Sequence, residues 1–215
     1  MNSSPLSIQW LGRIDYATAL DRQNTLRATC YDGSAPETLL LLEHEGIYTI
    51  GRTRDRSSLR DLEHLPHPVV ETNRGGQATW HGPGQLVAYP ILNIGKRGRD
   101  LHRYVRFLEK IIILTCEGLG VAAESRDGLT GVWVHEKKLA SIGVGLRQWI
   151  SMHGLALNVT TASLEPFRHI TPCGLSDVQM TCLETEASHP MSVEETGRHL
   201  ADIFLRELPK LGTRH

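Results

Sequence analysis

The sequence of 215 residues contains no C-x-x-C pair, and its four cysteines (Cys30, Cys116, Cys173, Cys182) are too scattered for a disulfide framework. That excludes the disulfide-stapled class and makes a reducing, cytoplasmic setting the simplest expectation. No apolar run reaches the length of a membrane span, and Met1-Asn2-Ser3-Ser4-Pro5 lacks the charged and apolar regions of a signal peptide. An excess of one charge is missing too. Lys and Arg number 23 and Asp and Glu 24, so the net charge is −1 and no global field points to nucleic acid or a membrane surface. Repeats, linkers and low-complexity segments are also absent. What is left, 40% hydrophobic and 22% charged, suits one globular domain over residues 1–215 with a core of its own.

Apolar periodicity then predicts the elements. Leu6 to Leu11 alternates as a first strand. Asp15 caps a helix to about Ala28, with Ala17, Leu20 and Leu26 near one face. Glu37–Glu43 and Ile47–Ile50 read as strands joined by the turn His44-Glu45-Gly46. Gly51 to Arg56 leaves the sheet as a basic loop. His64-x-x-His67 reads as a solvated loop, since no third metal ligand is suggested nearby. A helix from about Asp100 to Gly118 would bury Leu101, Val105, Leu108, Ile112 and Cys116. Val121–Glu124 reads as a short strand, Gly131–Val134 and Lys138–Leu146 as a hairpin, and Ile150–Val159 as another strand. Ser192 and Glu195 form a capping box that opens a last helix to about Leu208. Sheet pieces mixed with three or so helices give an α+β, or mixed α/β, class.

The densest stretch is Arg74-Gly75-Gly76-Gln77-Ala78-Thr79-Trp80-His81-Gly82-Pro83-Gly84-Gln85. Strand-like residues flank it, Pro68–Thr72 before and Leu86–Leu92 after. Glycines let a backbone press against a ligand, so the stretch reads as a pocket wall with Arg, Thr, His and Gln woven into it. Pro172-Cys173-Gly174 suits an exposed nucleophile with a backbone oxyanion donor beside it, although a free cysteine is as readily a small buried hydrophobe. A free thiol titrates near 8.5 and needs a neighbour to become thiolate. Lys138, opening the apolar run Leu139–Gly143, is the candidate ammonium. His81 and His153, each followed by glycine, are rival bases. Cys30, Cys116 and Cys182 read as core.

Four motifs stand in order: Arg-Gly-Gly-x-x-Thr-x-His-Gly-Pro-Gly-Gln (74–85), Lys-Leu-Ala-Ser-Ile-Gly (138–143), His-Gly-Leu-Ala-Leu-Asn (153–158) and Pro-Cys-Gly (172–174). Together they resemble the lipoyl(octanoyl) transferase family of lipoate biosynthesis, from about Gly46 to Ser176. Trp80 departs from the tyrosine more usual there but keeps an aromatic ring. The resemblance implies a mixed sheet flanked by helices, as in lipoate–protein ligases and the catalytic domain of biotin–protein ligases. It implies transfer of octanoyl from acyl carrier protein to a lysine of lipoyl domains and of the glycine-cleavage H protein, with no cofactor and no metal ion, by a monomer. Cys173 would be the acyl-thioester nucleophile and Lys138 the residue that lowers its pKa. Arg74, Gly75, Gly76, Gln77, Ala78, Thr79, Trp80, His81, Ser141, Ile142, Gly143, His153, Gly154, Leu155 and Ala156 would line the acyl pocket. Acyl carrier proteins are acidic, so Arg52, Arg54, Arg56 and Arg60, with Lys96, Arg97, Arg99, Arg103 and Arg106, are candidates for a docking rim. An ATP-dependent ligase of the same fold, a cysteine hydrolase and a non-enzymatic binding module are the alternatives.

Overall fold

A computed structural model describes residues 6–59, 64–171 and 178–212. In chain order the elements are β1 (Ser7–Ile14), α1 (Tyr16–Asp32), β2 (Thr38–His44), β3 (Ile47–Ile50), β4 (Val69–Glu71), β5 (Thr79–His81), β6 (Gln85–Ile91), α2 (Leu101–Gly118), β7 (Val132–Val134), β8 (Lys137–Arg147), β9 (Ile150–Asn158), α3 (Leu183–Ala187) and α4 (Val193–Glu207). Six strands form one mixed sheet in the order β1-β2-β6-β9-β8-β7, with β1 parallel to β2 and the other neighbours antiparallel. A second sheet has the order β4-β3-β5.

Both faces of the large sheet are covered, which is why β2 and β6 read as nearly continuous apolar runs rather than alternating ones. On one face α2 and α4 pack through Leu108, Ile111, Ile112, Cys116, Leu200 and Phe204, all fully buried, against Leu86, Leu139 and Leu157. On the other face α1 sets Ala19, Leu26 and Cys30 against Leu40, Val87 and Ala156. The side chain of Asp15 accepts from the Thr18 N–H at 2.9 Å, and Gly33 in the left-handed region (φ 78°) ends α1. Ser192 accepts from the Glu195 N–H at 3.3 Å to open α4. Cys30, Cys116 and Cys182 are buried, in line with their reading as core.

Several expectations need correction. β2 and β3 do not pair: at His44-Glu45-Gly46 the chain leaves the large sheet for the small one. β4 and β6, the strands flanking the glycine-rich stretch, accordingly lie in different sheets, and β5 forms inside the stretch. Val121–Glu124 makes only a single bridge, Glu124 to Trp133, because the Val121 N–H is taken by Cys116 O at the end of α2. On α1 the buried stripe is Tyr16, Ala19, Gln23, Leu26 and Cys30, and Ala17 is exposed. On α2, Leu101 is exposed at the helix start. Among the described residues no helix is long and apolar enough to cross a membrane.

Candidate active site

The small residues of β8 and β9 make the room for a pocket. Ser141 pairs with Ala156, and Gly143 with Gly154. A Cβ on Gly143 would come within 2.9 Å of Arg74 Cδ and 3.0 Å of Gly75 O, so the glycine admits the side chain that closes the cleft. The opposite wall comes from the glycine-rich stretch and β5. The resulting cleft is narrow and open at its mouth, with a cavity volume of about 40 Å³. Arg74, Gly76, Gln77, Ala78, Thr79, His81, Ser141, Ile142, Gly143, His153, Gly154, Leu155 and Ala156 line it. Gly75 and Trp80 do not. The Gly75 N–H is bound to Val144 O, and Trp80, whose side chain faces away from the cleft on the alternating strand, is buried against Tyr48 and His67. His67, read as solvated, is therefore partly packed under that ring.

Two tyrosines absent from the sequence reading complete the lining, Tyr16 from α1 and Tyr89 from β6. They belong to two buried polar chains. The Tyr16 hydroxyl donates to Thr72 Oγ1 at 2.9 Å, and Thr72 Oγ1 lies 3.4 Å from His153 Nε2. The Tyr89 hydroxyl lies 2.8 Å from His44 Nε2, while His44 Nδ1 is 3.2 Å from Ile14 O. A carbonyl only accepts, so Nδ1 carries the His44 proton and Nε2 accepts from the tyrosine. His153 has a left-handed backbone (φ 56°), held by the bond from its N–H to the buried Gln23 Oε1 at 2.7 Å. Their periodicity announces a helix face and a strand, but not these tertiary partners.

His81 is fixed in a third chain. Its Nδ1 lies 2.8 Å from Gln85 Oε1, Gln85 Nε2 donates to Asn158 Oδ1 at 2.9 Å, and Asn158 Nδ2 donates to Thr181 O at 3.0 Å. With Nδ1 donating, Nε2 is an acceptor. Burial pushes His44 and His153 down to about 4, the nearby Arg74 charge adding to the effect on His153, and burial pushes His81 well below its ordinary value. The three rings are neutral at pH 7. Arg74 supplies the positive charge of the wall. Its guanidinium donates to Thr49 O at 2.6 Å, to Thr49 Oγ1 at 2.8 and 3.2 Å, and to Gly75 O at 3.0 Å.

Lys138 is 1% exposed at the start of β8. Its ammonium donates to Thr130 O at 3.3 Å and sits 5.1 Å from the centroid of the Trp133 ring. Gly131, at φ 132°, is needed beside it: a Cβ there would lie 2.9 Å from Lys138 Cε and 2.6 Å from Ala140 O. The buried Glu109 of α2 accepts from the Gly131 N–H at 3.1 Å and fixes that turn. The Lys138 N–H donates to Gln179 O at 2.8 Å, and Lys138 O accepts from the Thr181 N–H at 2.9 Å. Cys173, with Pro172 and Gly174, lies outside the described residues. On its N-terminal side Thr171 donates from its N–H to Ser58 O at 2.7 Å.

Of the basic positions, Arg54 and Arg56 both reach Glu71, Arg97 pairs with Glu37 and Arg106 with Glu109. Arg60 lies outside the described residues. The loop carrying Arg52 is tied to the pocket wall through its N–H on Arg74 O at 3.0 Å.

A cleft of this lining on a mixed sheet, with a buried lysine on one of the strands that line it, defines a class that comparison with known proteins makes specific. The model of the lipoyl protein ligase A/B catalytic domain matches residues 15–205, and the chain belongs to that family. Within it, the chain is similar to octanoyltransferases. It is 48% identical to that of Geobacter metallireducens over 199 residues, 93% of this chain and 92% of that one. Among solved structures, the bipartite lipoate protein ligase of Thermoplasma acidophilum superposes with a TM-score of 0.72 at 16% identity, covering 96% of this chain and 84% of that one. The biotin protein ligase of Aquifex aeolicus gives a TM-score of 0.58 at 14% identity, covering 97% and 71%. At those identities the two structures speak for the fold alone, and the mixed-sheet expectation is met.

Proposed function

We propose that this chain transfers an octanoyl group from a carrier-bound thioester to the ε-amine of a lysine on lipoyl domains, as an acyltransferase working through an acyl-thioester on Cys173. One observation carries the assignment of Lys138. This lysine is buried, and its backbone is bonded on both sides to Gln179 and Thr181, which follow the Cys173 segment in the chain. Residues that follow Cys173 in the chain thus bond to the strand that carries the ammonium, which supports this assignment.

In this reading the Cys173 thiolate attacks the thioester carbonyl carbon, and the carrier's thiolate leaves. The departing carrier thiolate takes a proton from the Lys138 ammonium and leaves that amine neutral. The lysine amine of the acceptor then attacks the acyl-enzyme, the Cys173 thiolate departs, and the attacking amine's proton passes to the neutral Lys138. Thioester exchange is nearly balanced, so the enzyme supplies positioning and charge stabilisation, and amide formation drives the second step. The cleft over Gly143 and Gly154 takes the alkyl chain. Burying about six methylenes at about 0.8 kcal/mol each gives roughly 5 kcal/mol of gross affinity, enough for chain-length selection. The donor is an acyl carrier protein. Acceptors include the glycine-cleavage H protein, the enzyme is a monomer, and the Arg52–Arg56 loop forms part of the docking rim.

Intact-protein mass spectrometry after mixing with octanoyl-acyl carrier protein, without ATP, tests this. The expected result is a hydroxylamine-labile gain of one octanoyl group that Cys173→Ser abolishes. Activity appearing only with ATP and free acid would instead assign the chain to the ligase chemistry of the fold.

A further inference from the structure

The wall of the cleft contains a buried hydroxyl with no partner among the described residues. Thr79 is 6% exposed, lines the cleft, and its Oγ1 has no hydrogen-bond partner among the described residues. Buried hydroxyls are almost always paired, and leaving one unpaired carries a desolvation cost. The fold does not lack the means to avoid that cost, since a valine would occupy the same β-branched position on β5 with no hydroxyl to satisfy. The hydroxyl therefore has its partner in what the cleft receives.

The chemistry of that partner follows from the other groups in the wall. The hydroxyls of Tyr16 and Tyr89 are committed to Thr72 and His44. Ser141 is only half-buried. His81, with its Nδ1 proton given to Gln85, presents an acceptor. Among the described residues Thr79 is thus a buried, uncommitted side-chain donor of the lining. An octanoyl thioester is hydrocarbon apart from one group, and its one good hydrogen-bond acceptor is the carbonyl oxygen. Thr79 also stands directly across from Thr49, whose carbonyl and hydroxyl hold the Arg74 guanidinium. The donor therefore sits on the electropositive part of the wall, where an oxygen gaining negative charge is favoured.

We propose that the Thr79 hydroxyl is a catalytic donor to the acyl carbonyl oxygen of the thioester substrate, strengthening as that oxygen becomes an oxyanion. Thr79 keeps its proton throughout; the bonds that form and break are those of the Cys173 thiolate and the carrier sulfur. The inference rests on the transferase reading above and adds the residue that stabilises its tetrahedral intermediate.

The test is the rate of octanoyl-enzyme formation from octanoyl-acyl carrier protein in wild type, Thr79→Val and Thr79→Ser, with the melting temperature of each. Valine keeps the shape and removes the donor. Its acylation rate is expected to fall on the order of ten- to a hundredfold, with the KM for the donor changed less than about twofold. Its melting temperature is expected to stay level or rise, because an unpaired buried hydroxyl is gone. Serine restores the donor and is expected to acylate within about threefold of wild type. A Thr79→Val enzyme that acylates at the wild-type rate overturns the inference. So does a loss of melting temperature and rate shared by valine and serine, which would make Thr79 a packing residue. Wild type that forms no octanoyl adduct overturns the transferase reading itself, and this inference with it.

Discussion

Three buried neutral histidines around one cleft should make this protein lose stability in mild acid, well above the range where carboxylates titrate. In the unfolded chain a histidine takes up its proton near 6.5. In the fold, His44 and His153 do so only near 4, because burial disfavours the imidazolium. Between those values the unfolded state binds more protons, so stability is fully present above about pH 6.5 and is lost as pH falls toward 4. At pH 5 the linkage amounts to about 2 kcal/mol for one such histidine, hence about 4 kcal/mol for the pair. His81 shifts in the same direction and adds to it. Against a typical unfolding free energy of about 5–15 kcal/mol, that is a large share. Urea unfolding between pH 7.5 and pH 5 measures it, and this window lies above the carboxylates, which titrate near 4 or below. His153→Gln should remove about a third of the slope, about 2 kcal/mol at pH 5, while keeping an amide to meet Thr72. Stability that is flat across the window, or a His153→Gln slope equal to wild type, would refute the claim that these rings are buried neutral.

Other substitutions separate stability from chemistry. Lys138→Met fills the same buried volume without a charge, so unfolding free energy should stay within about 1 kcal/mol of wild type or rise, while acyl transfer falls by on the order of a hundredfold or more. A denaturation curve with a single-turnover assay reads both. Gly131→Ala places a methyl on Lys138 Cε and Ala140 O at a positive φ. It should cost about 2–4 kcal/mol in chemical denaturation and slow transfer by displacing the lysine. Arg74→Lys cannot reproduce the forked grip on Thr49 and Gly75. A destabilisation of about 1–3 kcal/mol is expected by urea titration, with a weaker hold on the glycine-rich wall.

The sequence alone was enough for local order and for the identity of most of the lining. Asp15 and Ser192 open their helices because a side-chain oxygen meets an N–H three residues on, an interaction complete within one turn. The β7–β8 hairpin forms about its short turn for a similarly local reason. The motif at 74–85 and the small residues of 141–156 were readable as a pocket because glycine and alanine leave space whatever surrounds them.

Partners across the fold were decided only by packing. Nothing local says that β2 and β3 part into two sheets, since both are short apolar runs whose separation depends on what covers them. Trp80 sits within the motif but on the opposite face from Thr79 and His81, because a strand rather than a loop forms there. Tyr16 and Tyr89 reach the cleft from α1 and β6, and Gln23 stabilises the turned backbone of His153 from 130 residues away. The neutrality of His44, His81 and His153, and the unpaired hydroxyl of Thr79, follow from burial, which depends on every element at once and is written in none of them singly.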